Sequence, residues 1–295
     1  MQNLEELKNK VTEAFCGSED LVKRDYTAGK KSFVLFFIDG LVDRKQLDES
    51  VVAPILVSNG EFKSDIAGLN GVIPASISIE ATKSFEEVVS TVSFGDAVMV
   101  FADSDEFFTL PVKKVESRPV GEPPTSAVLK GPREGFTENI KTNVVLLRHH
   151  LATPKLVFRN FEIGRYTKTT VMMSFIDGVA NPAVVKEVER RIGMIDIDGV
   201  LDASYVGKYL ETRPYSIFKQ VGSQEKPDII AAKILEGRLL ICLRLTHYCP
   251  SAKDFAARHK VFVFDQYALV KVNILDILVQ SAIQRKTDIC EYSLL

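Results

Sequence analysis

Apolar side chains recur every three or four residues at the start of the chain, at Leu4, Leu7, Val11 and Phe15, which predicts an amphipathic helix over residues 2–16. The stretch that follows is polar. Residues 32–38 are aromatic and β-branched enough for a strand buried on both faces, and Asp39-Gly40 supplies the turn after it. A helix is predicted from Asp43, whose carboxylate can accept from the free N–H groups of a first turn, to Pro54. Residues 62–80 alternate loosely, as in Ile77-Ser78-Ile79-Glu80, and predict a short edge strand. Ser84 stands three residues before Glu87, the spacing of a capping box, so a helix is predicted over 84–93; strands over 97–102 and 107–110 follow, around polar Asp103-Ser104-Asp105.

Prolines and glycines then concentrate at Arg118-Pro119-Val120-Gly121-Glu122-Pro123-Pro124 and at residues 131–135, which predicts a linker, because neither residue continues helices or ladders well. Phe136, Ile140, Val144, Leu147 and Leu151 mark a helix that ends before Pro154. Strands are predicted over 155–163 and 170–176, the second closed by Asp177-Gly178, with a helix starting at Pro182. A short strand over 195–199, helices over 204–210 and 227–235, and a strand over 238–242 complete the pattern. Strand followed by helix suggests βαβ wiring.

The pattern also repeats. Residues 32–41, ending Phe37-Ile38-Asp39-Gly40-Leu41, return 138 residues downstream as 170–179, ending Phe175-Ile176-Asp177-Gly178-Val179. Gly95-Asp96 and Gly237-Arg238, each followed by an apolar run, stand 142 residues apart. Self-similarity at a nearly fixed offset implies two copies of one folding unit. The expected fold class is therefore α/β: two similar α/β subdomains from an internal duplication, joined by a Pro/Gly-rich linker. The divisions are 1–115 for the first subdomain, 116–135 for the linker, 136–241 for the second and 242–295 for a tail.

Composition narrows the function. A chain of 295 residues with 46% hydrophobic content has room for two cores. A net charge of −2 and a pI near 6.2 provide no field to attract nucleic acid or an anionic membrane surface. No apolar run approaches the roughly 18 residues of a bilayer span. The start, Met1-Gln2-Asn3-Leu4-Glu5-Glu6, lacks the basic-then-apolar order of a secretory signal, so the chain reads as soluble and on the cytosolic side. The four cysteines, Cys16, Cys242, Cys249 and Cys290, show no Cys-x-x-Cys spacing, and disulfides are not expected.

Candidate chemistry is sparse. Gly164-Arg165-Tyr166-Thr167-Lys168-Thr169 ends like a phosphate-binding loop but has no glycine before Lys168 and leads into a strand, so Lys168 is expected to be a solvated strand end. Asp196-Ile197-Asp198-Gly199 begins like a calcium loop, yet Gly207 stands where the bidentate glutamate would be needed. His149 and His150 are helical neighbours pointing in different directions and cannot chelate one ion. His247, Cys249 and His259 match no familiar ligand spacing, and no nucleophile elbow is present. No catalytic, cofactor-binding or metal-binding residue is assigned, and the chain does not read as an enzyme.

The middle of the chain resembles the soluble N-terminal domain of the A subunit of bacterial spore germinant receptors, the GerA family. The blocks that carry the likeness are Gly131-Pro132-Arg133-Glu134-Gly135-Phe136-Thr137-Glu138-Asn139-Ile140-Lys141-Thr142-Asn143, then Gly164 to Thr169, then Ile195-Asp196-Ile197-Asp198-Gly199-Val200-Leu201-Asp202. Pro214-Tyr215-Ser216, Glu225-Lys226-Pro227-Asp228 and Leu235-Glu236-Gly237-Arg238 follow in the family's order.

The resemblance implies sensing of a small nutrient germinant within a spore inner-membrane complex of A, B and C subunits, with contacts to further A subunits and membrane helices after this domain. It also implies a pair of α/β subdomains. Arg133 and Glu134, in the glycine-punctuated loop, are the candidate subunit-contact site. The alternative is a soluble module that binds an amino acid, sugar or nucleoside between or within the lobes.

The pattern departs from the family at Cys242-Leu243-Arg244-Leu245-Thr246-His247-Tyr248-Cys249. Reading one nucleotide later restores a family-like strand, so the tail is expected to be frameshifted, poorly ordered, and unable to supply the second lobe's missing strand. Sequencing the gene across codons 240 to 256 tests this, and an intact frame there removes the idea.

Overall fold

The alternation along Lys31–Ile38 builds the first lobe: Phe33, Leu35 and Phe37 enter one apolar cluster, while Val34, Phe36 and Ile38 enter another on the opposite face. A strand apolar on both faces must be covered twice. The computed structural model describes residues 4–114, 134–137, 139–200, 203–211, 221–243 and 261–264, and in it helices cover both faces of each of two five-stranded sheets.

The first sheet runs β1 (Leu21–Ala28), β2 (Lys31–Ile38), β4 (Ala97–Phe101), β5 (Phe107–Leu110) and β3 (Glu80–Thr82), in that spatial order. Helices α1 (Leu4–Ala14) and α5 (Phe85–Phe94) lie on one face. On the other lie α2 (Arg44–Leu47), α3 (Ala53–Val57) and α4 (Ile66–Asn70). The second sheet has β6 (Leu156–Ile163), β7 (Thr169–Ile176), β9 (Leu239–Leu243), β10 (Val261–Phe264) and β8 (Val221–Gln224), the same order by position. Helices α7 (Pro182–Gly193) and α8 (Ala203–Leu210) cover one face, and α6 (Ile140–His150) and α9 (Pro227–Leu235) the other.

Every strand pairing is antiparallel, which overturns the βαβ expectation. The reason lies in the polar stretch after α1. Residues 21–28 form β1, which turns back through Gly29-Lys30 onto β2, and a two-residue hairpin can join only antiparallel neighbours. Lys23, Arg24 and Asp25 are exposed because β1 is an edge strand, where charge discourages pairing with other chains.

Three other expectations change. The helix begun at Asp43, whose carboxylate accepts from Lys45 N and Gln46 N at 3.0 and 3.1 Å, does not stop at Pro54. It widens into a π-type turn over Asp48–Val52 and resumes, since Pro54 offers no N–H and its ring needs room at the preceding turn. Within 62–80, α4 appears instead of a strand, and the edge strand starts only at Glu80. Residues 195–199 are irregular, their backbone carbonyls facing another loop.

The tail differs as well. Cys242 and Leu243 are buried in β9, and Val261–Phe264 fills the place between β9 and β8 that was expected to be empty. The expectation of disorder over the rest of the tail, 244–260 and 265–295, lies outside the described residues, as do the linker prolines of 118–124.

The two Asp-Gly corners are built alike. Asp39 N donates to Asp20 O at 2.8 Å, and Asp177 N donates to Lys155 O at 2.9 Å. Gly40 and Gly178 have φ of 92° and 80°. They differ in their neighbours: a Cβ on Gly40 would lie 2.8 Å from Val145 Cγ2, whereas one on Gly178 would meet nothing within 4 Å. Alanine at Gly178 should cost about 1 kcal/mol of backbone strain, and alanine at Gly40 more, because α6 must also move. Thermal unfolding of the two single variants checks the ranking.

Candidate functional site

A dense set of polar contacts joins the two lobes. It starts where α1 stops. Cys16 and Gly17 both adopt positive φ, 53° and 67°, and Gly17 N closes back on Thr12 O at 2.9 Å, a helix ending that throws Ser18–Asp20 across to the second lobe.

There the segment meets the open edge of β6. Phe158 N donates to Ser18 Oγ (2.9 Å), Glu19 N donates to Phe158 O (3.1 Å), and Asn160 N donates to Glu19 Oε2 (3.2 Å). An edge that could template aggregation is thereby capped from within the same chain.

Arg148 of α6 completes the junction. Its Nε and Nη2 donate to Asp20 Oδ2 and Oδ1 at 2.9 and 3.0 Å, its Nη1 to Thr153 O at 2.7 Å, and its Nη2 also to Leu156 O at 2.8 Å. Ser18 Oγ donates to Asp20 Oδ1 at 2.6 Å, and the guanidinium lies 5.0 Å from the centre of the Phe158 ring. Arg148 is only 1% exposed and heads the fully buried side chains by volume. A buried charge is tolerable only with such complete pairing.

Around this hub the lobes touch through α6. Its Ile140, Val144 and Leu147 belong to the core of the second lobe, while Val145 enters the core of the first. Lys141 Nζ and Arg44 Nη2 both pair with Asp39, at 3.1 and 2.8 Å. On the opposite flank Cys16 Sγ lies 3.7 Å from Asp177 Oδ2, and its thiol is pushed up by burial first and by that carboxylate second. Beside the hub opens a cavity of about 330 Å³ with an apolar wall of Ile140, Val144, Phe158 and Met172 and a polar rim that includes Glu19, Asp39 and Lys141. A second cleft of about 360 Å³ shares Asp39, Asn139 and Lys141.

The motif blocks turn out to hold loops together. Arg165 Nε and Nη2 grip Asp196 at 2.8 and 2.5 Å, Arg165 N donates to Ile197 O, Tyr166 N donates to Asp198 O, and Val200 N donates to Thr167 Oγ1. The loop that resembles a phosphate site is therefore a clasp, with Lys168 exposed at φ 44°. Asn139 caps α6 through Lys141 N, and buried Asn143 binds both the N–H and the C=O of Thr137 while donating to Cys242 Sγ at 3.3 Å.

Of the two contact residues expected from sequence, Arg133 lies outside the described residues. Glu134 is exposed, 3.8 Å from His150 Nε2. His149 and His150 are exposed side by side at the end of α6. Among the described residues no group of three or more His, Cys, Asp or Glu is placed to hold a metal ion, and no helix is long and apolar enough to cross a membrane.

Sequence reasoning missed Asp20, Ser18 and Arg148. One signal was present: Arg148 stands four residues after Val144, inside the apolar stripe of its helix, where a solvated arginine has no place.

Two outcomes follow from this geometry. Replacing Arg148 with alanine strands the Asp20 carboxylate and should cost about 3–5 kcal/mol in urea unfolding. The Cys242 thiol is pushed up to about 11 by burial, against the lowering effect of its Asn143 contact, so at pH 8 it should resist iodoacetamide until the chain is unfolded, as peptide mapping would read directly.

Known proteins resemble this chain over most of its length. The family described as Bacillus/Clostridium GerA spore germination protein matches residues 5–249, past Ile241 and into the tail. Spore germination protein KA of Bacillus subtilis (strain 168) is 29% identical over 290 residues, covering 94% of this chain, tail residues included, and 52% of the relative. The uncharacterized membrane protein YfkQ of the same organism is 32% identical over 243 residues, covering 81% of this chain and 47% of the relative. The chain thus spans about half the length of these relatives. In fold, it is similar to the crystal structure of the N-terminal domain of the A subunit of the Bacillus megaterium spore germinant receptor GerK3, with a TM-score of 0.65, 24% identity, and coverage of 88% of this chain and 93% of that one. The chain belongs to the Bacillus/Clostridium GerA spore germination protein family.

Proposed function

We propose that this chain works as the soluble, non-enzymatic part of a nutrient germinant receptor of the spore inner membrane, coupling germinant sensing to the membrane assembly through contacts with B and C subunits and with other A subunits. The observation that carries this reading is the junction. Two lobes joined through a buried arginine, a capped strand edge and a shared helix can pass a displacement from one partner to another without deforming. A further part of the reading is descent from a doubled α/β unit, with the Pro/Gly-rich segment 116–135 as its linker; the common strand order and the paired Asp-Gly corners support it.

A second reading is a module that binds an amino acid, sugar or nucleoside between the lobes. The cavity of about 330 Å³ beside the hub favours it, since both lobes line it and its size suits a small molecule.

Titration calorimetry of the chain against each ligand class, alongside co-purification with the other receptor subunits, separates the readings. Calorimetric silence with retained subunit binding is expected for the coupler. Ligand heat without subunit binding would replace it with the module. For the contact loop, alanine at both Arg133 and Glu134 should weaken co-purification, and unchanged assembly and germination would remove that assignment.

A further inference from the structure

We infer that Asp20 and Arg148 are positioning residues that set the register of one lobe against the other, and that the pair contributes this geometry in place of net stability. The inference concerns the fold alone and stands or falls apart from any receptor role.

The argument begins with direction. The burial of Val145 in the first core is attraction without direction, whereas a planar guanidinium fork demands its acceptors at fixed angles. The Arg148 fork reaches three segments at once: Asp20 in the first lobe, and the carbonyls of Thr153 and Leu156 in the second. Only one placement of the lobes satisfies all of them.

The strand edge makes the choice discrete. On the edge of β6 away from β7 the backbone groups belong to Leu156, Phe158 and Asn160, every second residue: Phe158 and Asn160 meet Ser18 and Glu19, Leu156 O meets Arg148, and the residues between them are committed to β7. A slide of one residue therefore finds no partners for Ser18 and Glu19. The nearest alternative is a slide of two residues, about 7 Å along the strand. The fork fits one of these registers alone, because Asp20 meets both Nε and Nη2 only there.

Energetics agree with this division of labour. Taking both ions out of water costs nearly what their attraction returns, and buried ion pairs are often replaceable by apolar residues of similar volume without loss of stability. At 0% and 6% side-chain exposure, Arg148 and Asp20 belong to that class.

The test is the double variant Asp20→Leu/Arg148→Met, with distances measured between spin labels carried on unnatural amino acids at exposed Val57 and Met194, one on each lobe. The expected result is a thermal midpoint at or above that of the parent, together with a distance distribution that broadens or gains a population displaced by about 7 Å. An unchanged distribution overturns the inference, and so does a midpoint as low as that of Arg148→Met alone, or a double variant that does not fold. Arg148→Lys supplies an independent reading: it keeps the charge but not the fork, so it should fold and still broaden the distribution, and a parent-like distribution there overturns the inference as well.

Discussion

One guanidinium governs how this molecule is put together. Arg148 cannot be removed from water without several acceptors waiting for it: Thr153 O and Leu156 O lie in its own lobe, and the Asp20 carboxylate that completes the set arrives only when the lobes dock. The demand reaches outward. Asp20 must emerge from the end of α1 at the right height, which requires the two left-handed residues Cys16 and Gly17, and Phe158 must present both its N–H and its C=O to Ser18 and Glu19.

Helix α6 is the element that makes two lobes one body. It contributes its main apolar stripe to the second core and Val145 to the first, where Gly40 is bare enough to let it approach. Its N-terminus is held by Asn139 and Asn143, and Lys141 reaches over to Asp39. The repeated Asp-Gly corner thereby acquires different work in each lobe: at one corner Gly40 seats a helix, while at the other Gly178 has no close neighbour and Asp177 meets Cys16.

The elements most legible in the sequence were those with uniform surroundings. Strands β2 and β7 are apolar on both sides and could be read directly, as could α7, whose start is marked by Pro182. Strand β1 was not legible, because an edge strand with one solvated face and charges at Lys23, Arg24 and Asp25 has the composition of a loop. Residues 195–199 carry the alternation of a strand, yet their backbone partners are single groups in the Arg165 loop, a long-range match that local pattern cannot encode. The junction itself was hidden for the same reason. Asp20 and Arg148 are 128 residues apart, and although the apolar stripe around Arg148 marks it as buried, no local pattern points to Asp20 as its partner.

Strand order has a consequence for the way the protein is made. The first sheet is complete once Leu110 has been synthesised, whereas β10, flanked on both sides in the second sheet, comes from residues 261–264. During vectorial synthesis the amino-terminal lobe can close early and wait with Ser18–Asp20 already presented, a scaffold on which the nascent β6 finds its place long before its own sheet is finished.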